Sequence, residues 1–519
     1  MGAPTSLLQG TRAFARDFAR DSMPRGYLWD VCDFVPQLVD AALTGRGPWQ
    51  WGSNPFGGDV ESGILANFIA GEQLLVQTAD GRVSQVDQNS YAVTDRGAMP
   101  RGLQNPIQVF EATVWFDRTG GVPPQVLGSS GGPTAIDASA PAAKYGTVWG
   151  GYVMTGNVPG HEDTIYFGPP GPKTSGAWDT NAAWQQTDNA ITGLAALRSI
   201  GLIFHAASVE RLRGTSVPST ASGDPGDLTL EPLFRHVGCP DARAIAYWNE
   251  NVIFADEHGV HITDGAVVRN LAQQGSILSY WRPLYQNRTS LAATVFLDYY
   301  IISIVRSDGL NDTLICDLNV RQWFRFSNIA SICMIESGGS IGMERIWASM
   351  QGTQRLARLG PCFFPDHLSQ AVDANGVNVL PYIQTPWYRM GPESRKRIRF
   401  AYLSYDARLS GSQADVEQAL FTSEPPVMPI APVMLQSIEP AISDPAASVI
   451  DVAYIRNPSD TSYHSVGGLP STSEYSRFRL PVRQAPYGLA FQVKQTSPTS
   501  TLRVYDFALE AQGTERSRL

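Results

Sequence analysis

The sequence predicts an all-β protein: a six- or seven-bladed β-propeller followed by a C-terminal β-sandwich, with an extended N-terminal arm. Three observations lead there. Residues Ala244 to Arg269 read AIAYWNENVIFADEHGVHITDGAVVR, four short strand-like runs joined by turns at Asn249-Glu250-Asn251, His258-Gly259 and Asp264-Gly265. Such a four-stranded sheet cannot bury its faces alone, so several must stack around an axis. Units of this kind recur without a strict period, their starts roughly 30 to 50 residues apart, as propeller blades do. Beyond residue 377 the strands become longer and lose that spacing.

Residues 1–60 are expected to form the arm. Thr11 to Ser22, TRAFARDFARDS, spaces Phe14 and Phe18 four apart between alternating Arg and Asp. That suits a short amphipathic helix with one aromatic edge. Met23-Pro24-Arg25-Gly26 stops it, and YLWDVCDFVPQLV then reads as β-prone. The segment either grips a neighbouring chain or packs on its own domain. Phe14, Phe18, Tyr27 and Trp29 are its candidate interface anchors, because aromatic side chains dominate interface energy.

The propeller is expected over 61–362. Its seven candidate units are Ile64–Val93, Ile107–Ala138, Thr147–Trp184, Ile191–Arg213, Ala244–Arg269, Ser290–Asn328 and Ile332–Leu359. Weak units could merge, which keeps six blades open. The strand Trp49-Gln50-Trp51 is the candidate to close the last blade.

The β-sandwich is expected over 378–511. Arg395–Tyr405, Tyr475–Val482, Leu489–Gln495 and Leu502–Glu510 read as its strands, with clear period-two alternation in the second and fourth. The Pro-, Ser- and Ala-rich stretch from Ser423 to Pro458 reads as an extended loop. Arg395, Arg397 and Arg399 share one face of a strand and form a candidate docking patch. Charge that protects an exposed sheet face from edge pairing explains them equally well.

Composition narrows the function. Charged residues are 17% of the 519 and the net charge is −9. A general nucleic-acid coat would need excess Lys and Arg to displace counterions. An acidic wall past which nucleic acid slides remains compatible. The five cysteines have no CxxC spacing and read as buried free thiols. Neither a signal peptide nor a membrane-spanning stretch is expected.

Catalytic and metal patterns are missing from the sequence: it has no GxSxG, HExxH or P-loop. His258 and His261 flank a hairpin turn and lack further converging ligands. Asp256, Asp264, Asp298, Asp308, Asp312 and Asp317 read mostly as turn residues whose carboxylates accept backbone hydrogen bonds. No enzyme activity, cofactor or metal is expected.

Three passages carry a resemblance: Trp248–Gly265, Gly150–Trp178 and Pro386–Tyr405. On these the chain resembles tailed-bacteriophage virion proteins of the tail hub or nozzle type, including packaged-DNA stabilisation proteins. Arg16–Leu38 is similar to phage minor tail proteins. The resemblance implies a structural role, a tail component that joins tail parts and lines the DNA exit path. It implies partners too: copies of itself in a ring, portal, adaptor or other tail proteins, and passive contact with genomic DNA. The implied location is the virion tail, assembled in the bacterial host cytoplasm. The alternatives are a receptor- or glycan-binding propeller at the tail tip, with Trp149, Trp178 and Trp184 as candidate binding aromatics, and a propeller-fold glycoside hydrolase.

Overall fold

A computed structural model describes residues 5–6, 12–17, 27–37, 42–47, 49–169, 176–309, 311–336, 346–359, 362, 373–377, 379–384, 388–389, 396–409, 448–455, 464–470, 472–481, 488–495 and 500–513. The chain divides into two compact units, one of residues 49–360 and one of residues 1–48 with 361–519.

The first unit is a seven-bladed β-propeller. Each blade is an antiparallel four-stranded sheet whose strands, a to d, follow chain order from the axis outward. Strand a is Val60–Phe68 in blade 1 and Ile107–Val109, Tyr145–Trp149, Gly193–Leu197, Ala246–Trp248, Arg288–Phe296 and Ser331–Glu336 in blades 2 to 7. Each of the seven sequence units falls on one blade. The seventh holds only three strands from its own stretch of chain, and Gln50–Trp51 supplies the fourth by pairing with Ala357 and Arg358. The closing strand places residues 49–60 in the propeller rather than in the N-terminal segment.

Burial explains the strand sequences. Strands b and c lie between neighbouring blades and are covered on both faces, so they read as continuous apolar runs. Tyr299–Arg306, YYIISIVR, is buried over six consecutive residues, and Ile346–Met350 over all five. Strand d faces solvent, and Val268–Asn270 and Val93–Ala98 are correspondingly polar and open. The core therefore lies in the seams. Trp149, Phe167 and Met154 of blade 3 pack with Leu194, Ile203 and Leu212 of blade 4. Trp347, Ile335 and Cys333 of blade 7 pack with Val60, Leu74 and Val76 of blade 1. Tight a–b turns make the short hairpins: Gly150-Gly151 (φ 57° and 86°) and Asn249-Glu250 (φ 41° and 62°) adopt the paired positive φ that matches strand twist.

The second unit is a β-sandwich of two six-stranded antiparallel sheets. One is built around Lys396–Leu409, Thr472–Pro481 and Ser500–Gly513; the other around Ser448–Ile455, His464–Pro470 and Gly488–Gln495. The N-terminal segment is extended, as expected, and is woven into both. Asp30–Cys32 pairs with Tyr382–Gln384, and the hairpin Phe34–Gln37/Ala42–Gly45 joins Ser500–Gly513. Two expectations are corrected. Arg12–Phe14 is a strand paired in parallel with Tyr27–Leu28, not part of a helix, because cross-strand hydrogen bonds outweigh the weak local helical spacing. Ser448–Ile455, placed in a loop by composition, is mostly apolar and pairs on both sides.

Asp33 is the corner where the chain leaves one sheet for the other. Its φ is +60°, a left-handed conformation that Asp tolerates better than most residues. Arg46 holds that corner: Nε donates to Asp33 Oδ1 at 2.7 Å, and Nη1 and Nη2 donate to the two oxygens of Asp373 at 2.9 and 2.8 Å. All three side chains are almost wholly buried. Burial works against the guanidinium charge, but the two carboxylates hold its pKa well above the ordinary value.

Candidate docking face

Antiparallel connectivity places the a–b and c–d turns of every blade at one end of the propeller and the b–c and d–a connections at the other. The a–b turns, at the ends of the innermost strands, surround the mouth of the central channel. Cross-blade bonds fix them. Glu111 of blade 2 accepts the Ile69 amide of blade 1 at 2.9 and 3.1 Å. Trp149 Nε1 donates to the Ser199 carbonyl of blade 4 at 3.0 Å. Arg198 pairs with Glu250 of blade 5, and Trp248 Nε1 donates to Asp298 of blade 6 at 3.0 Å.

This latched end carries an apolar surface. Of the nine exposed large hydrophobic residues among those described, six lie on it: Ile69, Phe110 and Leu297 in a–b turns, Val267 and Val320 in c–d turns, and Trp184 at the start of a d strand. Ile69 is 91% exposed and Phe110 70%. Their shared end makes that end the candidate interaction surface of the propeller. Phe110 and Leu297 also sit at φ +50° and +53°, where Asn or Gly is favoured. Each residue therefore combines a strained backbone with an exposed apolar side chain. Acidic Glu111, Glu250, Asp264 and Asp298 interleave with them, against Arg198 and Arg321. The propeller's 28 acidic and 20 basic residues account for −8 of the net charge. The geometry suits a partner with apolar sockets and a basic rim.

A direct consequence is testable in the isolated protein. Phe110→Asn and Leu297→Asn relieve backbone strain at exposed turns, so each should raise stability by roughly 1 kcal/mol. Denaturant unfolding of the single variants and the pair reads this; a loss of stability would show that these side chains serve the fold instead.

The longest fully described c–d connection, 214–228 in blade 4, is held by two carboxylates: Asp179 accepts the amide and hydroxyl of Thr220 at 2.7 and 2.6 Å, and Asp227 pins its base. Asp227 accepts the amides of Ser216 and Thr215, both at 2.7 Å, and the Thr215 hydroxyl at 2.7 Å. These bonds, the Ser216 amide foremost, pull its pKa down to about 2. A depressed carboxylate pKa gives order that is present above the unfolded value and is lost as pH falls through the folded one. Pepsin should therefore cut 214–228 increasingly fast as pH falls from 3.8 to about 2. Asp227→Asn should be cut readily across that window and flatten the dependence.

The central channel encloses about 550 Å³. That is small-molecule scale and too narrow for duplex nucleic acid. Its lining mixes apolar Ile64, Ile107, Val148 and Leu194 with polar Gln104, Gln108 and Thr294, and Arg243 is its one charged side chain. Asp241 already pairs with Arg243 at 2.8 and 3.1 Å. Asn105 crosses from blade 2 to accept the Gly63 amide at 3.2 Å and donate to the Met334 carbonyl at 2.9 Å.

The titratable residues singled out from sequence resolve individually. Asp264 and Asp317 accept backbone amides within their turns, as expected. Asp312 does not sit in a turn: it lies on a buried strand beside Arg325 at 3.3 Å, and burial raises its pKa. His261 is core, stacked on Phe254 and bonded to Asp256 at 2.8 Å. Among the described residues no cluster of three or more His, Cys, Asp or Glu could hold a metal ion. All five cysteines are buried free thiols. Trp149 and Trp178 are buried in seams between blades, and only Trp184 of the three candidate binding tryptophans is exposed.

The sequence-derived interface residues fall elsewhere, in the sandwich unit. Phe14 is on the strand that pairs with Tyr27–Leu28. Trp29 is half-buried under the Arg16 guanidinium at 4.6 Å, and its amide donates to Gln384 at 2.9 Å. Arg397 pairs with Gln512 on Lys396–Leu409, the strand that also carries Arg399. Phe18 and Arg395 lie outside the described residues. Sequence reading passed over Ile69, Phe110 and Leu297. The available signal was a large apolar residue at a hairpin turn, where turn chemistry calls for Asn, Asp or Gly.

No protein-family model matches the chain, and no curated protein matches it. Among solved structures it is similar to BamB from Moraxella catarrhalis (11% identity, 63% of this chain and 94% of that one, TM-score 0.36). It is also similar to the WD40 repeats of RRP9 (10%, 61% and 98%, TM-score 0.38) and to BBS1N crystallised with ARL6DN (8%, 60% and 96%, TM-score 0.39). At this distance none of them speaks to function, and the seven closed sheets themselves establish the propeller.

Proposed function

We propose that the chain is a structural virion protein of a tailed bacteriophage, a tail hub, nozzle or minor tail component that joins tail parts in a ring of copies. The observation that carries this reading is the latched, apolar and acidic end of the propeller, a rigid surface built to be covered. The three sequence passages that resemble tail hub and nozzle proteins supply its context. Genomic DNA, on this reading, passes beside the propeller through a passage formed by the ring of copies, because a channel of 550 Å³ cannot admit it. Acidic walls then limit adhesion.

The test uses particles. Purified virions of a phage encoding this chain should contain it at fixed stoichiometry in the tail. The pair Phe110→Asn/Leu297→Asn should leave the protein folded yet deplete it from particles. Particles that never contain the wild-type chain would overturn the reading.

A further inference from the structure

At the opposite end of the propeller a second pocket of about 330 Å³ opens between blades 4, 5 and 6. Its walls come from the b–c turns of blades 4 and 5, the segment after strand d of blade 4, and the helix Leu278–Gln286 with the residues that follow it. That helix is an insertion between blades 5 and 6, and it carries Tyr285 into the wall. It is anchored from below, since Trp281 Nε1 donates to the Asp256 carbonyl at 2.8 Å and the Trp281 ring stacks on Tyr285.

Two features of the pocket point to a ligand. The first is Arg288. Its guanidinium lies flat over the Tyr285 ring at 3.6 Å, and Nη1 donates to the Tyr285 carbonyl at 2.7 Å. Among the described residues no carboxylate pairs with it, and it lines the pocket. An arginine fixed by a ring face and a carbonyl keeps its remaining donors oriented without further ordering cost, which suits an oxyanion. The second feature is the Tyr285 hydroxyl, buried on a residue only 2% exposed and without a hydrogen-bond partner among the described residues.

Two acids share the wall with Arg288. Asp256 is committed to His261, to the His258 amide at 2.7 Å and to the Gly238 amide at 3.3 Å. Glu257 is largely exposed beside His258. We propose that this pocket binds a small organic oxyanion, a carboxylate or a phosphate monoester of about sugar size, with Arg288 as the anchor and Tyr285 as the second polar contact. The site is independent of the docking face and of the virion assignment, since it occupies the other end of the propeller.

Thermal-shift and calorimetric titrations of the full chain test it with four probes: inorganic phosphate, glucose 6-phosphate, glucuronate and neutral glucose. One or more of the three anions should bind saturably at millimolar concentration or tighter, and glucose should not. Which anion binds more tightly assigns phosphate or carboxylate. Arg288→Gln should weaken that binding by about 10-fold or more, and Arg288→Lys by less, because a charge-assisted contact is lost in one and kept in part in the other. Tyr285→Phe preserves the packed ring and should weaken binding several-fold, which separates ligand contact from folding. Equal effects from glucose, affinity unchanged in Arg288→Gln, or no saturable binding by any anion would each overturn the proposal.

Discussion

A fragment of residues 49–360 should fold and melt cooperatively, while one of residues 54–360, five residues shorter, should not. The missing stretch contains Gln50–Trp51, the strand that completes blade 7 by pairing with Ala357 and Arg358. Without it the ring loses the one covalent overlap between its ends and presents an open sheet edge. Neighbouring side chains fail with it. Trp49 is 1% exposed, donates from Nε1 to the Asn328 carbonyl at 3.2 Å and packs edge-on against Trp51. Loss of a buried tryptophan alone costs about 3–5 kcal/mol, a large share of a typical domain's stability. Gly52 adds a steric reason for the register: a Cβ there would run into the Trp347 ring. Calorimetry and light scattering of the two fragments decide the matter. A sharp transition of equal enthalpy in the shorter fragment would show that the blades close without their latch.

Arg46→Met should destabilise the sandwich unit by about 3–5 kcal/mol, because it leaves two buried carboxylates facing each other without a cation. The effect should exceed that of any surface ion pair in the molecule, such as Arg82–Asp95, where both partners are half in water. It should also be repairable. Asp33→Asn keeps a residue that accepts φ +60° at the sheet corner, and Asp373→Asn removes the second charge. The triple variant should regain most of the lost stability, since a buried ionic cluster replaced as a whole is often neutral. Hydrogen exchange should place the loss of protection in Asp30–Cys32, Phe34–Gln37 and their partner strands. Protection unchanged there would mean that the corner is held by backbone pairing alone.

The propeller was readable because each blade repeats one local problem. Asn249-Glu250 and Gly150-Gly151 announce two-residue hairpins, and runs such as IISIV announce strands covered on both faces. The closing strand was readable for the same reason: Trp49-Gln50-Trp51 is a short apolar run with no partner beside it in sequence. The sandwich was harder. Its sheets draw strands from residues 5–45 and from beyond 380, and no local pattern encodes pairings such as Thr5 with Leu509. The Phe14/Phe18 spacing suggested a helix because four-residue periodicity is a weak signal over so short a stretch, and pairing with Tyr27–Leu28 prevails.

The amino-acid order by itself determined the blades and the turns between them, properties of neighbouring chain segments, and it offered the short strand that closes the circle. Only the tertiary structure decided which residues face outward together. Ile69, Phe110 and Leu297 are up to 228 positions apart in sequence, yet circular stacking sets them on one end. The place of Arg288 in a pocket wall likewise becomes visible only once a helix from one blade connection has covered two turns of other blades. Exposure and pairing belong to the assembled surface, and a linear pattern carries neither.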